Sequence, residues 1–262
     1  MSSLQEVAAL LQNSLRTRRD LLGLRRTGVS RDALDRFKKV PPPAGTETAN
    51  PGSELSRSAK LAALNETVRG CRRCGHLAAF RTQTVFGAGS PNAALMFVGE
   101  APGADEAKQG EPFVGRAGEL LTKIIGAMGL SREDVYIANV LKCRPDMPAD
   151  APGNRPPTAS EMQKCLPYLR EQIAIIQPRV LVALGKTAMS GLTGAEESMG
   201  AMRGRWFSFE NIPLLATYHP SYLLRNGSNA EKRKVWEDMM LVMDKLDMPI
   251  SEKQRGYFSS SK

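Results

Sequence analysis

Residues Ala94 to Gly129 read ALMFVGEAPGADEAKQGEPFVGRAGELLTKIIGAMG: an apolar run, a glycine-rich loop, then apolar residues at helical spacing. The run from Ala94 to Gly99 is short, rich in β-formers and too continuous to be one-sided, as expected of a strand covered on both faces. Leu120, Leu121, Ile124, Ile125 and Met128 recur on one helical face, and Gly129 is placed to cap that helix. Three further runs have the same strand character: VYIANVL (Val135 to Leu141), VLVALG (Val180 to Gly185) and LLATYH (Leu214 to His219). Helical patterns alternate with them. Thr158 and Glu161 form a capping-box pair ahead of Cys165, Leu169, Ile173 and Ile176, with Pro167 predicting a kink or restart. Ser228 and Glu231 repeat the signature before Val235, Trp236, Met239, Met240 and Met243. The alternation predicts an α/β fold, a three-layer sandwich with a central, mostly parallel four-stranded sheet flanked by helices.

In such sheets ligands bind beyond the carboxyl ends of the strands. Glu100, Asn139, Gly185 and His219 stand at or near those ends on four different strands, which makes them the first candidates for a site. A lone histidine is more often structural than catalytic, yet His219 lies where a ligand belongs. Asn139 interrupts an apolar run, and a buried amide is costly unless paired; it carries the donor and acceptor that read one edge of a nucleobase. Phe113, an isolated aromatic on a glycine-rich loop, is either core or a stacking platform for a base. Two other motifs fail. LGKTA (Leu184 to Ala188) has Val180 where a phosphate loop needs its first glycine, and FGAGSPN (Phe86 to Asn92) lacks the third glycine of a dinucleotide fingerprint and reads as a plain turn.

The 262 residues carry 36 Lys+Arg against 27 Asp+Glu, a formal net charge of +9, and 42% are hydrophobic. That is enough apolar material for one substantial domain, and the charge favours a polyanionic partner such as nucleic acid. The loop is nonetheless acidic, with Glu100, Asp105, Glu106 and Glu111, which does not suit a phosphate cradle. Residues 1–57 read as a basic, leucine-bearing extension with a Pro-rich linker, residues 58–250 as the folded domain and residues 251–262 as a polar tail. No run reaches the roughly 18 apolar residues of a membrane span and no secretory signal is apparent, so the expectation is a cytoplasmic protein without membrane contact. Cys71 and Cys74 form a close C-x-x-C pair; with Cys143 and Cys165 they make four thiolates, a set that suits zinc or an iron–sulfur cluster. His76, beside the pair, is the weaker ligand candidate.

These residues in this order resemble the family 4 uracil-DNA glycosylases, the iron–sulfur branch of their superfamily. The resemblance runs from about Cys71 to Leu246 through CRRC, GEAPGADEAKQGEPFVGRAG, YIANVLKCRP, VLVALGKTA and HPSYLLRN. It implies an enzyme that flips uracil out of single- or double-stranded DNA and hydrolyses its N-glycosidic bond, acting as a monomer and initiating base excision repair. It implies that Phe113 stacks on the base, Asn139 bonds its edge and His219 sits beside the carbonyl that gains charge. Gly99 lets the backbone approach the base, Glu100 lies near the sugar and water, and Glu106 is a pocket carboxylate that excludes larger bases. Ser221, Leu224 and Arg225 become DNA contacts, and the four cysteines become ligands of a structural [4Fe–4S] cluster. An acidic loop then makes sense, because it faces a sugar that turns cationic as the bond breaks. Two departures stand out: Ala107 occupies a position acidic in many members, and the Cys143–Cys165 segment is long. That insertion has no histidine, so no permanent DNA adduct is expected. The alternatives are a glycosylase for hypoxanthine or xanthine, a metal-bearing DNA-binding protein without catalysis, and an electron-transfer protein.

Overall fold

The computed structural model describes residues 51–147 and 153–259. The basic extension and most of the linker, the middle of the insertion and the last residues of the tail lie outside the described residues. In chain order the elements are α1 (Pro51–Arg69), α2 (Gly75–Phe80), β1 (Ala88–Gly89), β2 (Leu95–Gly99), α3 (Ala104–Gln109) and α4 (Arg116–Ala127). They continue with β3 (Tyr136–Asn139), α5 (Ala159–Ile176), β4 (Val180–Leu184), α6 (Lys186–Thr193) and α7 (Met199–Met202). The last are β5 (Trp206–Phe209), β6 (Ile212–Thr217), α8 (Pro220–Arg225), α9 (Asn229–Lys245) and α10 (Glu252–Arg255). The helix α1 begins at Pro51, ahead of the Ser58 boundary expected from composition.

One six-stranded sheet has the order β1-β3-β2-β4-β6-β5. Its four central strands, the ones legible in the sequence, are parallel, with Val98 opposite both Ala138 and Ala183, and Ala183 opposite Ala216. The expected four-stranded count is therefore corrected to six by two antiparallel edges. The first, β1, lies inside the segment read as a plain turn; two residues, one of them glycine, carry no periodicity. The second, β5, has exposed and half-buried side chains before its last residue. It meets β6 through a two-residue turn in which Glu210 and Asn211 both have positive φ, 52° and 65°. That backbone is the common hairpin geometry, made here without the glycine that usually announces it.

Side chains alternate across the sheet and bury on both faces. Met96, Val98, Ala138, Leu181, Ala183, Leu214 and Ala216 face a core completed by Leu169, Ile173 and Ile176 of α5 and Leu61 and Leu64 of α1. Leu95, Phe97, Ile137, Val182, Leu184 and Leu215 face the other, with Leu121 and Ile125 of α4 and Trp236, Met239 and Met243 of α9. The three-layer expectation holds. Helix signals hold in detail as well. Thr158 Oγ1 accepts from Glu161 N at 3.2 Å while Glu161 Oε2 accepts from Thr158 N at 2.7 Å. Gly129 has φ 84° just past α4. Ser228 makes half of the expected box, accepting from Glu231 N at 3.2 Å, because the Glu231 carboxylate bonds Lys234 instead. Pro167 does not restart the chain: α5 runs through it as one helix, held to the sheet by its buried face. The segment read as a polar tail also packs. Trp236 Nε1 donates to Gln254 O at 2.5 Å, Gln254 Nε2 to Ala127 O at 2.9 Å, and Arg233 to the carbonyls of Arg255 and Tyr257.

Candidate active site

The carboxyl ends of the parallel strands open into one cleft of about 450 Å³, lined among others by Glu100, Glu106, Phe113, Asn139, Gly185 and His219. Every base- and sugar-facing candidate except Gly99 is thus in its lining, and Gly99 forms the floor beneath two of them. A Cβ added to Gly99 would lie 2.6 Å from Phe113 Cζ and closer still to Asn139 Oδ1. Only a bare backbone lets both side chains approach it. Asn139, the last residue of β3, is 2% exposed, and its Oδ1 is buried with no hydrogen-bond partner. An unsatisfied buried acceptor in a native core calls for an explanation, and here it belongs to a residue that lines a cleft. Its carbonyl is held by Lys142 Nζ at 2.9 Å, and the ammonium also donates to Gln172 Oε1 at 2.5 Å.

His219 caps α8. Its Nδ1 accepts from Ser221 N at 3.1 Å and lies 2.8 Å from Ser221 Oγ. Because the amide can only donate, Nδ1 carries no proton, and in the neutral ring the proton is on Nε2. Burial, helped by the Arg225 charge and opposed by Glu106, lowers the ring to about 4, so it is neutral near pH 7. Ser221, expected at the DNA, is engaged with this imidazole. Leu224 is 42% exposed, Leu223 is buried, and Arg225 joins the cleft lining.

The carboxylates of the loop divide the work. Glu106 accepts from Gly103 N (3.0 Å), Val114 N (3.0 Å) and Gly115 N (3.1 Å), so it fastens the two halves of the glycine-rich loop to each other. Ala107 leaves no gap in that network. The Glu100 carboxylate makes no hydrogen bond or ion pair among the described residues and stands in the cleft lining.

Phe113 has φ 55°, a left-handed backbone that an aromatic residue rarely adopts. Arg132 holds it there, its Nη1 donating to Phe113 O at 3.2 Å and its Nη2 to Pro112 O at 2.8 Å. Gly118 accommodates the same carbonyl, which any Cβ there would strike. The ring ends 5.6 Å from the His219 ring, tilted by 34°. Sequence reading missed Arg132, since it lies in the turn before β3, outside every motif, and its partners are backbone atoms. Arg132→Ala is expected to lower kcat/KM roughly tenfold, mainly through KM, with Arg132→Lys restoring little because a lysine lacks the planar fork. Steady-state kinetics and inhibition by free base measure it. Lys186, first residue of α6, and Asn154 and Arg155 of the insertion also line the cleft unannounced. Gly185 and Lys186 of LGKTA form no phosphate loop but still border the cleft.

Away from the cleft, Cys71, Cys74, Cys143 and Cys165 surround one small cavity, together with Arg73, Arg81 and Lys164. All four are free thiols. Arg73 N lies 3.4 Å from Cys71 Sγ, Lys142 N 3.2 Å from Cys165 Sγ and Arg81 Nη1 3.6 Å from Cys143 Sγ, the donors that stabilise thiolate sulfur. His76 does not line this cavity; its Nε2 lies 2.8 Å from Glu161 Oε1, and Arg155 bridges Glu161 and Asp146. An arginine fills the place where that cluster of acidic groups could have taken a cation.

The profile described as "Uracil DNA glycosylase superfamily" matches residues 86–240. The chain is 45% identical to a type-4 uracil-DNA glycosylase of Thermotoga maritima over 70% of its own length and 93% of the relative's. It is 40% identical to the type-4 enzyme of Pyrobaculum aerophilum over 63% and 85%, and 35% identical to that organism's type-5 enzyme over 52% and 64%. With its sheet, its cleft and these likenesses taken together, the chain belongs to the uracil-DNA glycosylase superfamily and stands among its type-4 members.

Proposed function

We propose that the protein is a monofunctional uracil-DNA glycosylase, hydrolysing the bond between deoxyribose C1′ and uracil N1 to leave an abasic site. The observation that carries this reading is the orphaned Oδ1 of Asn139, on a residue that lines a strand-end cleft together with a neutral histidine and an aromatic platform. Uracil offers N3–H to that oxygen and O4 to the Asn139 amide, while Phe113 stacks on its face. As the C1′–N1 bond breaks, its electron pair goes to the base, and His219 Nε2–H donates to the carbonyl that gains the charge. The sugar becomes cationic on the other side, where the unpaired Glu100 carboxylate offsets it. Water adds to C1′ and gives up a proton to solvent, leaving the C1′ hydroxyl of the abasic site, while the released uracil anion takes a proton from solvent. Leu224 and Arg225 at the mouth are proposed DNA contacts: an apolar wedge that takes the space of the extruded base and a charge for phosphate. A cytoplasmic enzyme working as a monomer on single- or double-stranded DNA fits this reading; no helix among the described residues is long and apolar enough to cross a membrane.

The four cysteines are proposed to hold a [4Fe–4S] cluster, whose contribution when bound is to tie α2, the end of β3 and α5 together. Lys142 joins that corner to the active site, since its amide meets Cys165 and its ammonium meets Asn139. Cys143→Ser is expected to lose the brown colour of an iron–sulfur protein and to aggregate on purification, because removing a ligand removes folding free energy. Iron content and melting temperature check it.

The test of the function is strand scission. A labelled oligonucleotide with a single deoxyuridine is incubated with the protein and then treated with alkali, beside a thymine control. Cleavage at uracil alone supports the proposal; an intact oligonucleotide after incubation with brown, folded protein refutes it.

A further inference from the structure

We propose that a second cleft, across α3 from the active site, binds an unpaired nucleotide of the same DNA strand, with Phe80 as its stacking surface. The proposal rests on the glycosylase reading above. This cleft is about 390 Å³. Its apolar walls come from Leu77, Ala104, Ala107 and Pro145. Phe80, the last residue of α2, is 80% exposed, more than any other large apolar side chain among the described residues. A phenyl ring standing in water at the rim of a cleft is a ready surface for the face of a base.

The charge points to the same ligand. Arg81, Lys108 and Arg144 line the cleft. The Arg81 guanidinium is anchored on the carbonyls of Cys71 and Arg69, each at 2.7 Å. Arg144 is anchored on Asn154 Oδ1 at 3.0 Å and Gly153 O at 2.9 Å. Arg144 is held by neutral groups alone, so its positive charge is left for phosphate, whereas Arg81 also lies 3.6 Å from Cys143 Sγ and shares its charge with that sulfur. The one carboxylate in the lining, Asp146, is paired with Arg155. Ala107 keeps the α3 wall neutral, where an acidic side chain would repel the backbone of the strand.

The two clefts are neighbours. Glu106 of α3 faces the first and Ala107 the second, and Arg144 in the second bonds Asn154 in the first. A strand whose uridine occupies the first cleft therefore has its flanking nucleotides beside the second. The base must be unpaired, because a duplex buries both faces of its bases.

Binding of the full chain is measured by fluorescence anisotropy with two single-stranded oligonucleotides carrying a non-hydrolysable deoxyuridine analogue. One extends well beyond the analogue on both sides and the other is trimmed to its immediate neighbours. Phe80→Ser is expected to weaken the long oligonucleotide about tenfold and the trimmed one little, with Phe80→Tyr restoring the affinity. Ala107→Asp is expected to weaken the long one also, by like-charge repulsion of phosphate. Unchanged melting temperatures show that the variants are folded. Equal affinity of Phe80→Ser and wild type for the long oligonucleotide, or an equal loss on both lengths, overturns the proposal. If the wild type binds but releases no uracil from a deoxyuridine strand, the glycosylase reading falls while the length comparison still decides the cleft.

Discussion

His219→Ala should leave a protein that binds uracil-containing DNA but releases uracil about a hundred- to a thousandfold more slowly, the usual cost of deleting one oxyanion donor. The expectation follows from the tautomer. Ser221 N donates to Nδ1 at 3.1 Å, so the only ring proton is on Nε2. A neutral ring lowered to about 4 is already in its donating form at neutral pH, and it gives no acid limb of its own to the rate between about pH 5 and 8. Protonation would add charge only below about 4. Single-turnover kinetics across pH separate the possibilities. A break near 6.5 in the wild type that vanishes in His219→Ala would mean that the ring titrates at its ordinary value, against the burial that causes its shift. A rate within a few-fold of wild type would remove His219 from the chemistry.

Asn139→Asp should lower kcat/KM for uracil about a hundredfold and shift preference toward cytosine. The substitution keeps an acceptor and deletes the amide N–H, so uracil O4 loses its donor and meets a carboxylate, whereas the exocyclic amine of cytosine donates to it. One well-placed pair of hydrogen bonds discriminates by about 1–3 kcal/mol, which sets the scale. The position amplifies the effect, because Asn139 is 2% exposed and a wrong contact leaves a buried polar group unpaired. Competition between uracil- and cytosine-bearing strands measures it. An unchanged base preference would detach Asn139 from recognition.

The parts of the site legible in the chain are those whose chemistry is local. His219 precedes Pro220 at a strand end, Asn139 breaks an apolar run, and glycines bracket Glu100 and Glu106; each departs from what a strand or helix needs in its own segment. Arg132 and Lys142 were not legible in that way. Each acts on a backbone carbonyl, of Phe113 and of Asn139, and a carbonyl is present at every residue, so no spacing marks which one is held. The edge strands β1 and β5 escaped for a related reason. Each is paired on one side only, β5 keeps most of its side chains at least partly exposed, and β1 is too short to show a period.

Four apolar runs separated by helical patterns determined by themselves a parallel sheet with two buried faces, because a strand apolar on both sides needs a layer on each. The same runs determined where the cleft opens, since all parallel strands end at one edge. Only the tertiary structure decided how the site is set: that Glu106 binds three loop amides while Glu100 stays free, that Ser221 turns the His219 proton to Nε2, and that Phe113 is held at positive φ. These depend on distances of about 3 Å between segments far apart in the chain, and hydrogen bonds lose their strength within a fraction of an ångström.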